Sequence, residues 1–301
     1  MKQTISIIGS NKSKNAVEKS MNIIYLICGL AAVVCVVCMT VYMVISGWPA
    51  IQKIGVFKFL FGQVWNPENS QFGIAPMIIS SIIATFTAIL IALPAGVLVA
   101  VFLAKLTPGK LSTALRMLID LLAGIPSVVY GLLGAILIVP LVFELQTALG
   151  FPTSGSLLAA IIILIIMILP TIISVSETAI RAVPKQYEDA SLALGSTKLQ
   201  SIFKVTVPAA KSGIVAGMVL GVGRAIGEAM AVIMVAGNAA IMPEFLKPVR
   251  LLTASIPIEW AYSSGMHREA LYGIGLVLFI FIMIINIILN KILKKGGDVR
   301  G

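Results

Sequence analysis

The chain has 301 residues, of which 59% are hydrophobic and 11% charged. An ordinary soluble domain is charged at roughly a quarter of its positions, so this composition excludes water as the main solvent and makes the lipid bilayer the partner of most of the surface. The formal net charge of +10 does not signal nucleic acid, because the basic residues fall in alternate loops between apolar stretches and so report membrane topology.

A bilayer-spanning helix needs about 20 residues free of unpaired charge. An N-terminal tail, residues 1–22, carries Lys2, Lys12, Lys14 and Lys19 and leads into the first predicted span, 23–46. That run outlasts a signal-peptide core of roughly 7–15 apolar residues and is read as a retained anchor. Cys28, Cys35 and Cys38 lie within it at helical spacings; Cys35 and Cys38 have no further Cys or His nearby to complete a metal site, and no disulfide framework is implied. An outside segment, 47–73, holds Trp48, Phe57, Phe59, Phe61 and Trp65, which suit an interfacial belt.

The second predicted span, 74–104, contains Pro94; the third, 113–143, contains Pro126 and Pro140; the fourth, 156–177, contains Pro170. Each is expected to bend or break there, since proline frees a backbone carbonyl. The loop 178–212 alternates charged and apolar residues, with Ala190, Leu194, Leu199, Ile202 and Phe203 expected on one amphipathic face. In the fifth span, 213–236, Gly213, Gly217 and Gly221 recur every four residues and Gly223 and Gly227 form a second pair, a small-residue pattern that admits close approach of a helix from this chain or a partner. An outside segment, 237–269, and a sixth span, 270–292, complete an all-α polytopic membrane protein of six transmembrane helices, its permease core at about 74–292. Sixteen of the 22 Lys and Arg residues lie in the two tails and in the loops after the second and fourth spans. The positive-inside rule therefore places both termini in the cytoplasm.

Arg224 and Glu228 are the two charges that interrupt the fifth span, near its middle. Four residues apart, they are expected on one helix face, and at about 2.5–3.5 kcal/mol each for insertion they must face protein or water. Two readings stay open: an ion pair that locks the fifth span into the bundle, or an anion path in which Arg224 holds a passing oxyanion and Glu228 competes to release it. Arg116 and Asp120 repeat the spacing at the mouth of the third span and read as an interfacial pair or a lower-ranked part of that path.

Asp189-Ala190-Ser191, Gly195 four residues after Ser191, and Val205-x-Val207-Pro208 resemble the EAA loop of bacterial ABC importer permeases, with Asp for Glu, Ser for Ala and Val for Ile and Leu. Trp65-Asn66-Pro67, Phe72-Gly73-Ile74, Leu122 to Gly131 and Gly221 to Glu228 are similar to the phosphate-specific (Pst) permeases. His267-Arg268-Glu269-Ala270-Leu271 and the Trp-x-Pro approach favour the C-type (PstC) subunit over the A-type. The resemblance implies a type I ABC importer permease fold in a bacterial inner membrane. It also implies that Asp189, Ala190, Ser191, Gly195 and Pro208 couple to an ATPase. The implied partners are a PstA-like permease, two PstB-like ATPases, a PstS-like external phosphate-binding protein, and phosphate itself. No cofactor or metal is expected in this chain; ATP and Mg belong to the ATPase, because Gly109-Lys110-Leu111-Ser112 lacks the earlier glycine of a phosphate-binding loop. An A-type subunit or a permease for molybdate or sulfate is the alternative within the class. An ion-coupled secondary transporter, the rival from another class, would carry internal repeats, and none is found. Catalysis has no foothold, as the single histidine, His267, stands in an outside loop without a Ser-His or His-Glu-x-x-His arrangement.

Overall fold

The computed structural model describes residues 12–150 and 152–297; Lys2 and Arg300 of the predicted tails lie outside them. Helix α1, Lys12–Ile54, begins before the predicted first span and outlasts it. Most of its apolar side chains are exposed and so reserved for lipid, and Cys28, Cys35 and Cys38 are all exposed on it. It is followed by α2, Val56–Phe61, and by a short hairpin, β1 Trp65–Asn66 against β2 Gln71–Phe72, which with a single parallel bridge between Gly237 and Val249 is the β-structure among the described residues.

Helix α3, Ala75–Val101, runs through Pro94, and α7, Leu157–Arg181, runs through Pro170. Both remain single helices, so of the expected bend or break, no break forms there. Pro108, Pro126, Pro140 and Pro208 do reshape the chain. Wider π turns at Phe102–Leu106, Gly134–Ile138 and Ile202–Thr206 each end two residues before Pro108, Pro140 or Pro208. In each, the residue before the proline (Thr107, Val139, Val207) donates its N–H to the carbonyl five residues back. The turn loosens because proline brings no N–H and its ring crowds the carbonyl four residues earlier.

The predicted third span is not one helix. Helix α4, Gly109–Gly124, stops at Ile125-Pro126, where the residue before proline leaves the helical region. Helix α5, Ser127–Leu133, the π turn and α6, Val139–Ala148, then form the membrane-length run Ser127–Ala148. The Tyr130 hydroxyl bridges the break by donating to the Leu122 carbonyl at 2.7 Å.

The loop 178–212 folds as α8, Lys185–Ala193, α9, Lys198–Ser201, and α10, Val207–Ala209. The segment Lys198–Ala209 meets α11, Lys211–Gly227, at 67°. At 1.5 Å per residue, α11 rises only about 25 Å, and α12, Met230–Val235, follows after a break at Glu228. The predicted span 213–236 is thus two helices. Helix α13, Leu252–Glu259, and α14, Gly265–Gly297, close the chain.

Helix α7 is the axis of the bundle. Ile161, Leu164, Ile168 and Ile172 on it are almost fully buried, packed with Ala84, Ala88 and Ala92 of α3 and with Ala225, Ala231 and Val235 of α11 and α12. Its first-turn amides are satisfied by its own cap and by segment 237–269: Ala159 donates to the Ser156 side chain, Leu157 to the Lys247 carbonyl and Leu158 to the Phe245 carbonyl.

The glycine stripes divide between two environments. A Cβ on Gly213 would stand 2.3 Å from that of Ala179, while Gly217 and Gly221 lie against Val175, Ser176 and Ile172; Gly223 and Gly227 have nothing within 4 Å. Overpacking a helix contact typically costs about 1–3 kcal/mol. Gly213→Val is therefore expected to lower the Tm of the solubilised chain, whereas Gly223→Ala leaves it unchanged, as thermal unfolding in detergent would record.

Candidate functional site

Arg224 and Glu228 do not pair. Helix α11 ends at Gly227, and Glu228 turns into an extended conformation, φ −76° and ψ 122°. Its carboxylate accepts the Ala231 N–H at 2.9 Å, capping α12, while its carbonyl accepts the Thr253 hydroxyl at 2.7 Å. Glu228 is 8% exposed. The helical spacing failed because the helix ends between the two residues, and the free amides of α12 are the stronger claim on a carboxylate.

Arg224 is left half-buried, its NH1 donating to the Thr171 hydroxyl at 3.3 Å, and among the described residues no carboxylate lies within 4.0 Å of it. Beside it, Gly223 and Gly227 are exposed and leave the approach open. A guanidinium at this depth without a counter-charge requires water, a partner or a passing anion.

Arg116 and Asp120 are also separate. Asp120 is exposed and takes part in no ion pair among the described residues. Arg116 instead stands 3.8 Å from Glu177, a carboxylate 1% exposed at the end of α7 that Arg181 engages at 2.7 Å.

The EAA-like segment forms a protruding elbow. Asp189 and Ala190 are exposed on α8, Ser191 is half-buried, and Gly195 closes the helix at φ +86°, a left-handed conformation that side chains resist. The Ser191 and Ser196 hydroxyls meet at 2.7 Å, and Thr197 and Gln200 cap each other at the start of α9. Pro208 is exposed in α10. The expected single apolar face does not form: Leu194 is 89% exposed, whereas Ile202 is fully buried. The exposed set is Tyr187, Leu192, Leu194, Leu199 and Phe203, which suits docking of a protein surface.

Two contacts gave no signal in the sequence because their partners are far apart along the chain. Lys105, at the end of the second span, pairs with Glu188 of α8 at 2.9 Å, both largely buried, and Glu188 also accepts the Thr206 hydroxyl at 3.4 Å. The elbow is thereby fastened to α3. At the opposite end, Glu259 is 5% exposed and engages Arg250, His267 Nε2 at 2.7 Å and Trp65 Nε1 at 2.9 Å. This hub joins the hairpin, α13 and α14. Burial, then the Glu259 carboxylate, pushes the Tyr262 hydroxyl pKa up beside it.

The family model described as binding-protein-dependent transport system inner membrane component matches residues 92–295. Among curated relatives, a probable ABC transporter permease protein, YqgH, of Bacillus subtilis is 35% identical over 95% of both chains. The phosphate transport system permease protein PstC of Pasteurella multocida is 34% identical over 85% of this chain and 86% of its own. In solved structures, a bacterial alginate ABC transporter is similar with a TM-score of 0.66, 13% identity and coverage of 94% of this chain and 98% of that one. The inward-facing MetNI methionine ABC transporter gives 0.58, 21% identity and coverage of 77% and 99%.

Removing one member of a buried charged cluster costs about 3–5 kcal/mol, because its partners are left uncompensated. Glu259→Gln is expected to lower the Tm by that measure and to expose residues 237–264 to limited proteolysis, with the elbow still protected as in the wild type.

Proposed function

The chain belongs to the family of binding-protein-dependent transport system inner membrane components, multi-pass permeases of ABC transporters, and from that premise we propose that it is the C-type permease subunit of an importer for inorganic phosphate. The observation that carries the substrate is the identity of about a third, over most of both chains, with relatives named as phosphate transport permeases. The unpaired Arg224 fits that substrate: a guanidinium matches a tetrahedral oxyanion by charge and by its fork of donors. Thr171 orients it with a single neutral bond, which a passing anion displaces at little cost.

Charge placement supports cytoplasmic termini, since the tails and the elbow-bearing side hold most of the Lys and Arg. The elbow then faces the cytoplasm, where a PstB-like ATPase, with ATP and Mg of its own, docks on α8. Two such ATPases and a PstA-like permease complete the pore, and a PstS-like binding protein delivers phosphate to the outside segments. Closure of the ATPases pushes the elbow, and the buried Lys105–Glu188 pair passes that displacement to α3, biasing the spans between two access states.

The decisive experiment is uptake of labelled phosphate into vesicles holding this chain with its permease, ATPase and binding-protein partners, with sulfate as competitor. ATP-dependent, sulfate-resistant uptake that disappears in Gly195→Val supports the reading, whereas uptake without ATP hydrolysis points to a gradient-driven carrier and sinks it. In the same vesicles Arg224→Gln is expected to cut uptake by about tenfold or more, the value of a charge-assisted contact of 1.5–3 kcal/mol. Glu228→Gln, which keeps an acceptor for α12, is expected to cost less than about threefold. Lys105→Gln should lower uptake more than ATP hydrolysis, a loss of coupling measured by comparing the two rates.

A further inference from the structure

A cavity of about 300 Å³ opens where the π turn after α3, the first turns of α4 and the end of α7 meet, lined by Thr107, Gly109, Ser112, Thr113, Arg116 and Arg181. Its electrostatics do not close on themselves. Two guanidiniums share one carboxylate, that of Glu177, which Arg181 Nε holds at 2.7 Å and Arg116 Nε meets only at 3.8 Å. Three of the five donors of Arg181 are committed, because its NH2 also gives bonds to the Leu103 carbonyl at 2.9 Å and the Ser112 hydroxyl at 2.7 Å. Arg116 makes no hydrogen bond among the described residues, and its side chain is 42% exposed.

The floor of the cavity offers more donors. Helix α4 starts after Pro108 with no capping side chain and no acidic residue in its first turn, so the amides of Gly109, Lys110 and Leu111 lack intrahelical acceptors. The Thr113 hydroxyl donates to the Gly109 carbonyl and keeps its lone pairs. Lys105 is already committed to Glu188. What remains is one uncommitted, forked cation beside free helix amides, in a space large enough for a tetrahedral oxyanion.

We propose that this cavity is a phosphate-group site, with the Arg116 guanidinium as its principal ligand and Arg181, fixed by Glu177, as a second positive wall. Arginine binds a phosphate in two-point fashion that no single water reproduces. The site is separate from Arg224, which lies within a span, and it stands on the elbow side of the membrane; only the assignment of that side to the cytoplasm rests on the importer reading. Two sources carry the required chemistry, namely free inorganic phosphate and the headgroup of an anionic phospholipid.

The assembled complex, purified in neutral detergent without ATP or binding protein, tests this with two probes on the wild type, Arg116→Gln, Arg116→Lys and Arg224→Gln, and on each Arg116 variant combined with Arg224→Gln. Radiolabelled inorganic phosphate is measured by equilibrium dialysis, and retention of phosphatidylglycerol is measured by native mass spectrometry after reconstitution in mixed vesicles. Phosphate binding weakened about tenfold or more when Arg116→Gln is added to Arg224→Gln, and partly restored when Arg116→Lys is added instead, identifies free phosphate as occupant. Loss of phosphatidylglycerol in the same pattern identifies the headgroup. If Arg224→Gln binds both probes equally with and without Arg116→Gln, the proposal is overturned, even where uptake proves specific for phosphate. Conversely, a failed uptake assay leaves this binding comparison intact, so the two readings fail independently. An unchanged Tm for Arg116→Gln, expected because Arg116 holds Glu177 only loosely, excludes misfolding as the cause.

Discussion

Hydrocarbon offers backbone amides and carbonyls no partner, so every break in a helix has to be repaired from within the protein. Much of this structure can be read as a set of such repairs. The π turns before Pro108, Pro140 and Pro208 move one hydrogen bond to a carbonyl five residues back. Tyr130 reaches across the Pro126 break to the Leu122 carbonyl. Glu228 gives its carboxylate to the start of α12, and the outside segment lends carbonyls to the start of α7. Each repair fixes a joint while leaving the helices on either side distinct.

The same economy governs charge. Carboxylates at the membrane edges are gathered into compact hubs: Glu177 with Arg181 and Arg116, Glu188 with Lys105, Glu259 with Arg250 and His267. Such hubs join elements distant in sequence and define both ends of the bundle. Arg224 stands apart from all of them. A charge that the fold does not neutralise is one it keeps for something that arrives.

The apolar windows in the sequence announced a bundle of membrane-length helices but not the breaks at Ile125 and Glu228 that divide the predicted third and fifth spans, and the Asp189 to Pro208 spacing announced the elbow with Gly195 at its turn. Both signals are local, set by composition and by short-range backbone geometry. The pairing of Arg224 with Glu228 was misjudged for the same reason: a spacing of four predicts contact only while the helix continues, and nothing nearby marks its end at Gly227. Pro126 broke its helix where Pro94 and Pro170 did not, so proline alone does not mark a helix end. The hubs at Glu188 and Glu259 join residues 83 and 194 positions apart, distances over which sequence pattern carries no information.

The pairing of α1 with α14 bears on how the chain is made. The Tyr42 and Tyr272 hydroxyls meet at 2.8 Å across 230 residues, and the backbone at Tyr272 comes so close to Gly47 that a Cβ there would stand 2.8 Å from it. Helix α1 is therefore docked by α14, whose Tyr272 is made 230 residues after Tyr42. During synthesis α1 waits in the bilayer on its own apolar surface, which explains why so much of that surface is dressed for lipid and so little for protein. A nascent chain arrested before Tyr272 has every earlier span and no clasp to hold α1.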